Sequence, residues 1–142
     1  MRLPKEHIKQ AIVHPDLPVR ILALHYFSQA FSYDVTVMPL VIEAVEKYGR
    51  VASIHLISES QNLPQTESTI RWCMEELQRD LDEPDEDLQN FQIALSKVLV
   101  NADPCLLRDK ESKIAELPGF LSDFGDALSE RVQLVGKDAG TL

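Results

Sequence analysis

Nucleophiles, acids, bases and metal ligands carry most protein chemistry, so the four histidines and two cysteines of this 142-residue chain come first. His7, His14, His25 and His55 include no i, i+4 pair, and no HExxH helix occurs. Cys73 and Cys105 stand 32 positions apart, without the close Cys or Cys/His pairs of a zinc site. Both fall in helical apolar patterns and are read as buried free thiols, which suits a reducing compartment. Cys105 follows Asp103-Pro104 in a helical first turn, where the helix dipole favours a thiolate, but Asp103 and Asp109 oppose that effect. His25, beside Tyr26 in an apolar run, is read as a hydrogen-bonded interior or edge histidine. No P-loop, GxGxxG, GxSxG or kinase signature is present. Carboxylates are plentiful, yet a catalytic dyad needs two of them facing each other across a cleft. No catalytic residue, cofactor or metal site is therefore expected.

The charge is −9 and unevenly spread. Residues 1–50 carry six Lys/Arg and five Asp/Glu; residues 51–142 carry eight and eighteen. Such a surplus of acid opposes binding to nucleic acid, whose affinity rests on phosphate neutralisation, and opposes a basic membrane-surface helix. No apolar run reaches the roughly 18 residues of a membrane span, and "MRLPKEHIKQ" lacks the apolar centre of a signal peptide. The expected location is the cytoplasm. The densest acid lies in "EELQRDLDEPDED". Its carboxylates Glu75, Glu76, Asp80, Asp82, Glu83, Asp85, Glu86 and Asp87 read either as a solvated helix end and loop or as a docking surface for a basic protein partner.

Helical periodicity dominates the elements that must position these groups. A first helix covers Pro4–Val13, with Ile8, Ala11 and Ile12 as its stripe, and His14-Pro15 stops it. Asp16 is placed to cap a second helix that is apolar nearly all round. A third runs from Val37 to Tyr48, capped by Thr36 and ended at Gly49. A fourth, in "RVASIHLISES", turns Val51, Ile54 and Ile57 to one side. A fifth, capped by Asn62 or Thr66, extends to Leu81; a sixth buries Leu88, Phe91, Leu95, Val98 and Leu99. A seventh covers Pro104–Leu117, and the stretch after Pro118-Gly119 is weakly helical, Gly125 weakening it. The fold class is thus all-α, with seven or eight helices in one domain over residues 1–135 and a flexible tail at 136–142. Starts about 30 residues apart suit stacked hairpins and equally suit an irregular helical bundle.

"IKQAIVHPDLPVRILALHYF" resembles a HEAT-like repeat. The resemblance rests on Ile8, Ala11 and Ile12, on Pro15 and Asp16 in the turn, and on Val19, Arg20, Ala23 and Leu24 opening the second helix. It covers about 25 residues, and the later hairpins depart from it: "EKYGRVASIHLI" lacks the aspartate-to-arginine signature. The resemblance implies a right-handed stack of antiparallel hairpins and a structural role for Pro15, Asp16, Val19 and Arg20, with Asp16 and Arg20 in a polar ladder between repeats. The spacing of Asp16 and Arg20 also permits a local i, i+4 contact. Two functions follow as expectations. One is a non-catalytic scaffold that binds a protein partner, with a homodimer as a further expectation. The alternative is a HEAT-like enzyme or accessory domain, DNA glycosylase-like or lyase-like, for which Trp72 with Glu75 and Glu76 is the local candidate.

Overall fold

The computed structural model describes residues 5–29, 34–79, 85–117, 121, 124–130 and 132, and among them there are helices and no strand. In chain order they are α1 (Lys5–Gln10), α2 (Leu17–Gln29), α3 (Val37–Tyr48), α4 (Ile54–Glu59), α5 (Glu67–Leu77), α6 (Glu86–Asn101), α7 (Glu111–Ala115) and α8 (124–130). The expected all-α class and the helix count are both met.

Local chemistry sets the helix ends. The Thr66 hydroxyl accepts the Thr69 N–H while the Thr69 hydroxyl accepts the Thr66 N–H, a reciprocal capping box at the start of α5. Asp85 Oδ1 accepts the Asp87 and Leu88 N–H groups and opens α6. Gly49 ends α3 at φ +100°, a backbone conformation that glycine adopts without a Cβ penalty, and its N–H reaches Val45 O at 2.9 Å. Thr36 precedes α3 but its side chain makes no capping bond. It donates its N–H and hydroxyl to Asp34 Oδ1 instead, at 2.9 and 2.6 Å.

Several expected helices are shorter. The first ends in a 3-10 turn, Ala11–Val13, and the fourth begins with one, Val51–Ser53, which leaves Val51 exposed rather than in the apolar stripe. The expected seventh helix is two pieces. Pro104–Leu107 is a 3-10 turn, with Asp103 Oδ1 accepting the Cys105 N–H, and α7 begins only at Glu111. The interruption lets Lys110, which is buried, turn back to Glu67 at 2.8 Å. Residues 136–142, expected as a tail, and Leu81 lie outside the described residues.

The apolar stripes converge on one core. Ile12 and Leu24 from the first hairpin meet Met38, Val41 and Val45 of α3, Leu56 and Ile57 of α4, Ile70, Met74 and Leu77 of α5, and Phe91, Leu95 and Leu99 of α6. At about 25 cal/mol per Å² of apolar surface removed from water, these side chains supply the main driving force for folding. The packing order is regular. α1 lies on α3 and α3 on α5; α2 lies on α4 and α4 on α6; α1 pairs with α2 and α5 with α6. α1 to α6 therefore form two rows, odd-numbered and even-numbered.

Lys9 and Asp34 form an ion pair between α1 and the entry to α3. The Lys9 ammonium, followed by the Thr36 hydroxyl and N–H, holds the Asp34 carboxyl down to about 2. A carboxyl depressed in the folded chain adds stability above its unfolded pKa of about 4, and that stability is lost as the pH falls through the folded value. Asp34→Asn is expected to lower the melting temperature at pH 7, with the gap to the native chain closing as the pH approaches 2. Thermal melts across that range check this; a gap of constant size contradicts it.

Candidate functional site

The residues singled out by the sequence sit in two places. The first is the turn before α2. Arg20 is 3 % exposed. Its Nη1 donates to His14 O at 2.9 Å and Pro15 O at 3.0 Å, and its guanidinium carbon lies 4.1 Å from the centre of the Tyr48 ring. Tyr48, at the end of α3, in turn donates its hydroxyl to Val13 O at 2.6 Å. Arg20 thus holds the carbonyls left open where α1 stops and stacks on the next hairpin. Asp16 is exposed and gives Arg20 N its backbone carbonyl at 3.1 Å; the i, i+4 side-chain pair is not made. His14 Nδ1, rather than Asp16, orders the turn by accepting the Asp16 N–H at 2.9 Å. Pro15 is exposed and Val19 half-buried.

The second place is the C-terminal half of α5. Glu76 was expected in an acidic surface, but it is 8 % exposed and belongs to the interior. Arg50, in the turn between α3 and α4, grips it with both prongs: Nε to Oε2 and Nη2 to Oε1, each 2.7 Å. Two parallel charge-assisted bonds match the planar guanidinium to the carboxylate. Glu76 therefore holds the Arg50 proton more tightly than usual, with Glu46 adding to the effect. Glu46 accepts from Arg50 Nη2 at 3.2 Å and from Trp72 Nε1 at 3.0 Å. Gln92 Nε2 reaches Glu76 O at 3.0 Å and ties α6 to the same point. Beyond it, Gln78 Nε2 donates to Lys113 O at 3.1 Å. These polar ties join α2 to the end of α3 (Arg20–Tyr48), the α3–α4 turn to α5 (Arg50–Glu76) and the end of α5 to α7 (Gln78–Lys113).

The other acidic residues divide. Glu75 is exposed on α5, and Asp85, Glu86 and Asp87 are exposed around the start of α6, which packs on α5. Asp80, Asp82 and Glu83 lie outside the described residues. Cys73 is buried beneath this region, and burial, with the charge of Glu76, pushes its thiol up to about 12, so it is protonated and inert. Cys105 is exposed, contrary to the expectation of a buried thiol. It sits on a 3-10 turn too short to bury a full apolar stripe. His25 is exposed, its Nδ1 3.3 Å from Glu59 Oε2.

No family model, curated protein or solved structure matches this chain. The remaining observations come from its own geometry. Among the described residues no group of three or more His, Cys, Asp or Glu is placed to hold a metal ion, and no helix is long and apolar enough to cross a membrane. An open cleft of about 290 Å³ lies between α6, α8 and the loop after α4, lined by Gln61, Lys97, Val100, Asn101, Phe124 and Ala127. Its polar groups are two amides and a single ammonium, with no acid–base pair among them.

Sequence reasoning found Arg20 through its turn and missed the roles of Arg50, Glu46 and Tyr48. One signal was available: Arg20 and Arg50 stand 30 positions apart, the first in the opening turn of α2 and the second in the turn between α3 and α4. Arg20→Met is expected to cost about 2 kcal/mol, because it leaves two turn carbonyls without their charged donor and removes the stack on Tyr48. Arg20→Lys is expected to recover only part of this, since an ammonium lacks the flat fork. Urea unfolding of the two variants checks both statements; an unchanged midpoint for Arg20→Met contradicts the assigned role.

Proposed function

We propose that this chain is a non-catalytic interaction module of HEAT-like type, a right-handed stack of helical hairpins that presents its acidic edge to a protein partner. The observation that carries the reading is the alternating order of the helices, odd on odd and even on even, with polar ties between them. Stacks of this kind bury a continuous core and leave long outer surfaces free for binding.

The acidic edge consists of Glu75, Asp85, Glu86 and Asp87; Asp80, Asp82 and Glu83, between them in the sequence, lie outside the described residues. It favours a basic segment, and charge complementarity speeds and orients such an encounter. Two of the three side chains on which a glycosylase-like reading draws are already occupied. Trp72 donates to Glu46, and Glu76 is neutralised by Arg50. The carboxylate surplus also repels a nucleic-acid backbone.

The test is affinity capture at low salt, with the native chain and with a Glu75→Lys, Glu86→Lys, Asp87→Lys variant side by side. The native chain is expected to retain a protein that the variant loses and that elutes as salt rises. Equal capture by both forms, or binding of DNA in place of a protein, contradicts the reading.

A further inference from the structure

α2 differs from the other helices in what it shows to water. Its only formally charged side chain, Arg20, is buried in the turn contacts. Its exposed residues are Pro18, Leu22, His25 and Tyr26. Leu22 is 71 % exposed and Tyr26 43 %, one helical turn apart on the same side. The Tyr26 ring is braced edge-on against the buried Phe27 ring, with centroids 5.1 Å apart, so it is presented in a set orientation. α1, α3, α5 and α6, by contrast, each expose at least two charged side chains. An uncharged patch built on a rigid aromatic and a projecting leucine has the composition of an interface core.

We propose that this face of α2 is the contact between two copies of the chain, paired about a two-fold axis. The charge distribution selects a second copy as the occupant. A two-fold contact sets a surface against itself, so a patch with a surplus of one sign faces the same surplus on the mate. Residues 51–142 carry ten more acids than bases, and self-pairing there would be repulsive. Residues 1–50 are nearly balanced, and the outer face of α2 carries no fixed charge at all. Its edge is also self-complementary. His25 and Glu59 lie side by side at 3.3 Å, both part-exposed, so each copy offers a donor and an acceptor to its mate. α2 opens the even-numbered row, so its outer face, bordered on the α4 side by His25 and Glu59, is open to a second copy.

Sedimentation velocity of the full chain over a concentration series tests this. The expected result is a reversible monomer–dimer equilibrium. Leu22→Glu is expected to weaken it at least about tenfold, Leu22→Ser less so, and Leu22→Glu with Tyr26→Glu to abolish it. Because Leu22 and Tyr26 project into solvent, the helical circular dichroism and melting temperature of these variants should stay close to those of the native chain. Added salt is expected to leave the dimer unchanged or tighten it, since it screens the repulsion between two −9 chains. A chain that is monomeric at every concentration overturns the proposal. So does a dimer that tolerates Leu22→Glu or one that salt dissociates, because the contact would then lie elsewhere or rest on charge.

Discussion

A guanidinium cannot shed its charge inside a protein, so wherever the chain buries one, acceptors must be brought to it. This constraint organises the molecule. Arg50 is shielded between α3 and α5, and the two oxygens of Glu76 meet its fork. That pairing fixes the distance and rotation of α5 against the α3–α4 turn. Arg20 meets the same constraint in part, Nη1 bonding the carbonyls of His14 and Pro15 and the guanidinium lying on the face of Tyr48, while its buried Nε has no hydrogen-bond partner. Each solution needs a group from the following hairpin. The apolar core provides most of the stabilisation; the buried Arg20 and the part-exposed Arg50 add direction, tying particular helices together.

Acid is distributed to suit. Among the described residues the buried carboxylate is Glu76, paired with Arg50, while the exposed Glu46 braces that pair through Arg50 and Trp72. Much of the surplus remains outside, at the ends of α5 and α6, where Asp85 also satisfies the first N–H groups of α6. One region thus does two jobs, closing a helix end and maintaining an electronegative edge. α2 is the opposite case, an outer surface with no fixed charge, and the two surfaces suit different partners.

Much of the fold was legible because helices announce themselves locally. The stripes of α3, α5 and α6 are the i, i+3, i+4 patterns of the sequence, and Thr66, Asp85, Asp103 and Gly49 act where their chemistry suggests. What local pattern could not reveal was pairing over distance. Glu76 reads as one more acid in an acidic run, and only its bond to Arg50, 26 positions away, removes it from the surface. Val51 matches an apolar stripe and Leu22 belongs to a helix apolar nearly all round, yet both face water, because the core is filled by neighbours that local pattern alone does not disclose. Cys105 is exposed because a 3-10 turn replaced the expected helix.

The central claim is that the Arg50–Glu76 pair aligns consecutive hairpins, and a double-mutant cycle on it is the most direct measurement. Arg50→Met and Glu76→Leu are made singly and together, and their unfolding free energies compared. The account predicts that Arg50→Met, which leaves the buried Glu76 with only the longer Arg79 contact, costs about 3 kcal/mol, and that Glu76→Leu costs less, because Arg50 is part-exposed and keeps Glu46. The double change, which leaves no charge behind, should cost less than the two losses added, by well over 1 kcal/mol. Losses that simply add would show that the two side chains act independently, and the pair would not be what holds the hairpins in order.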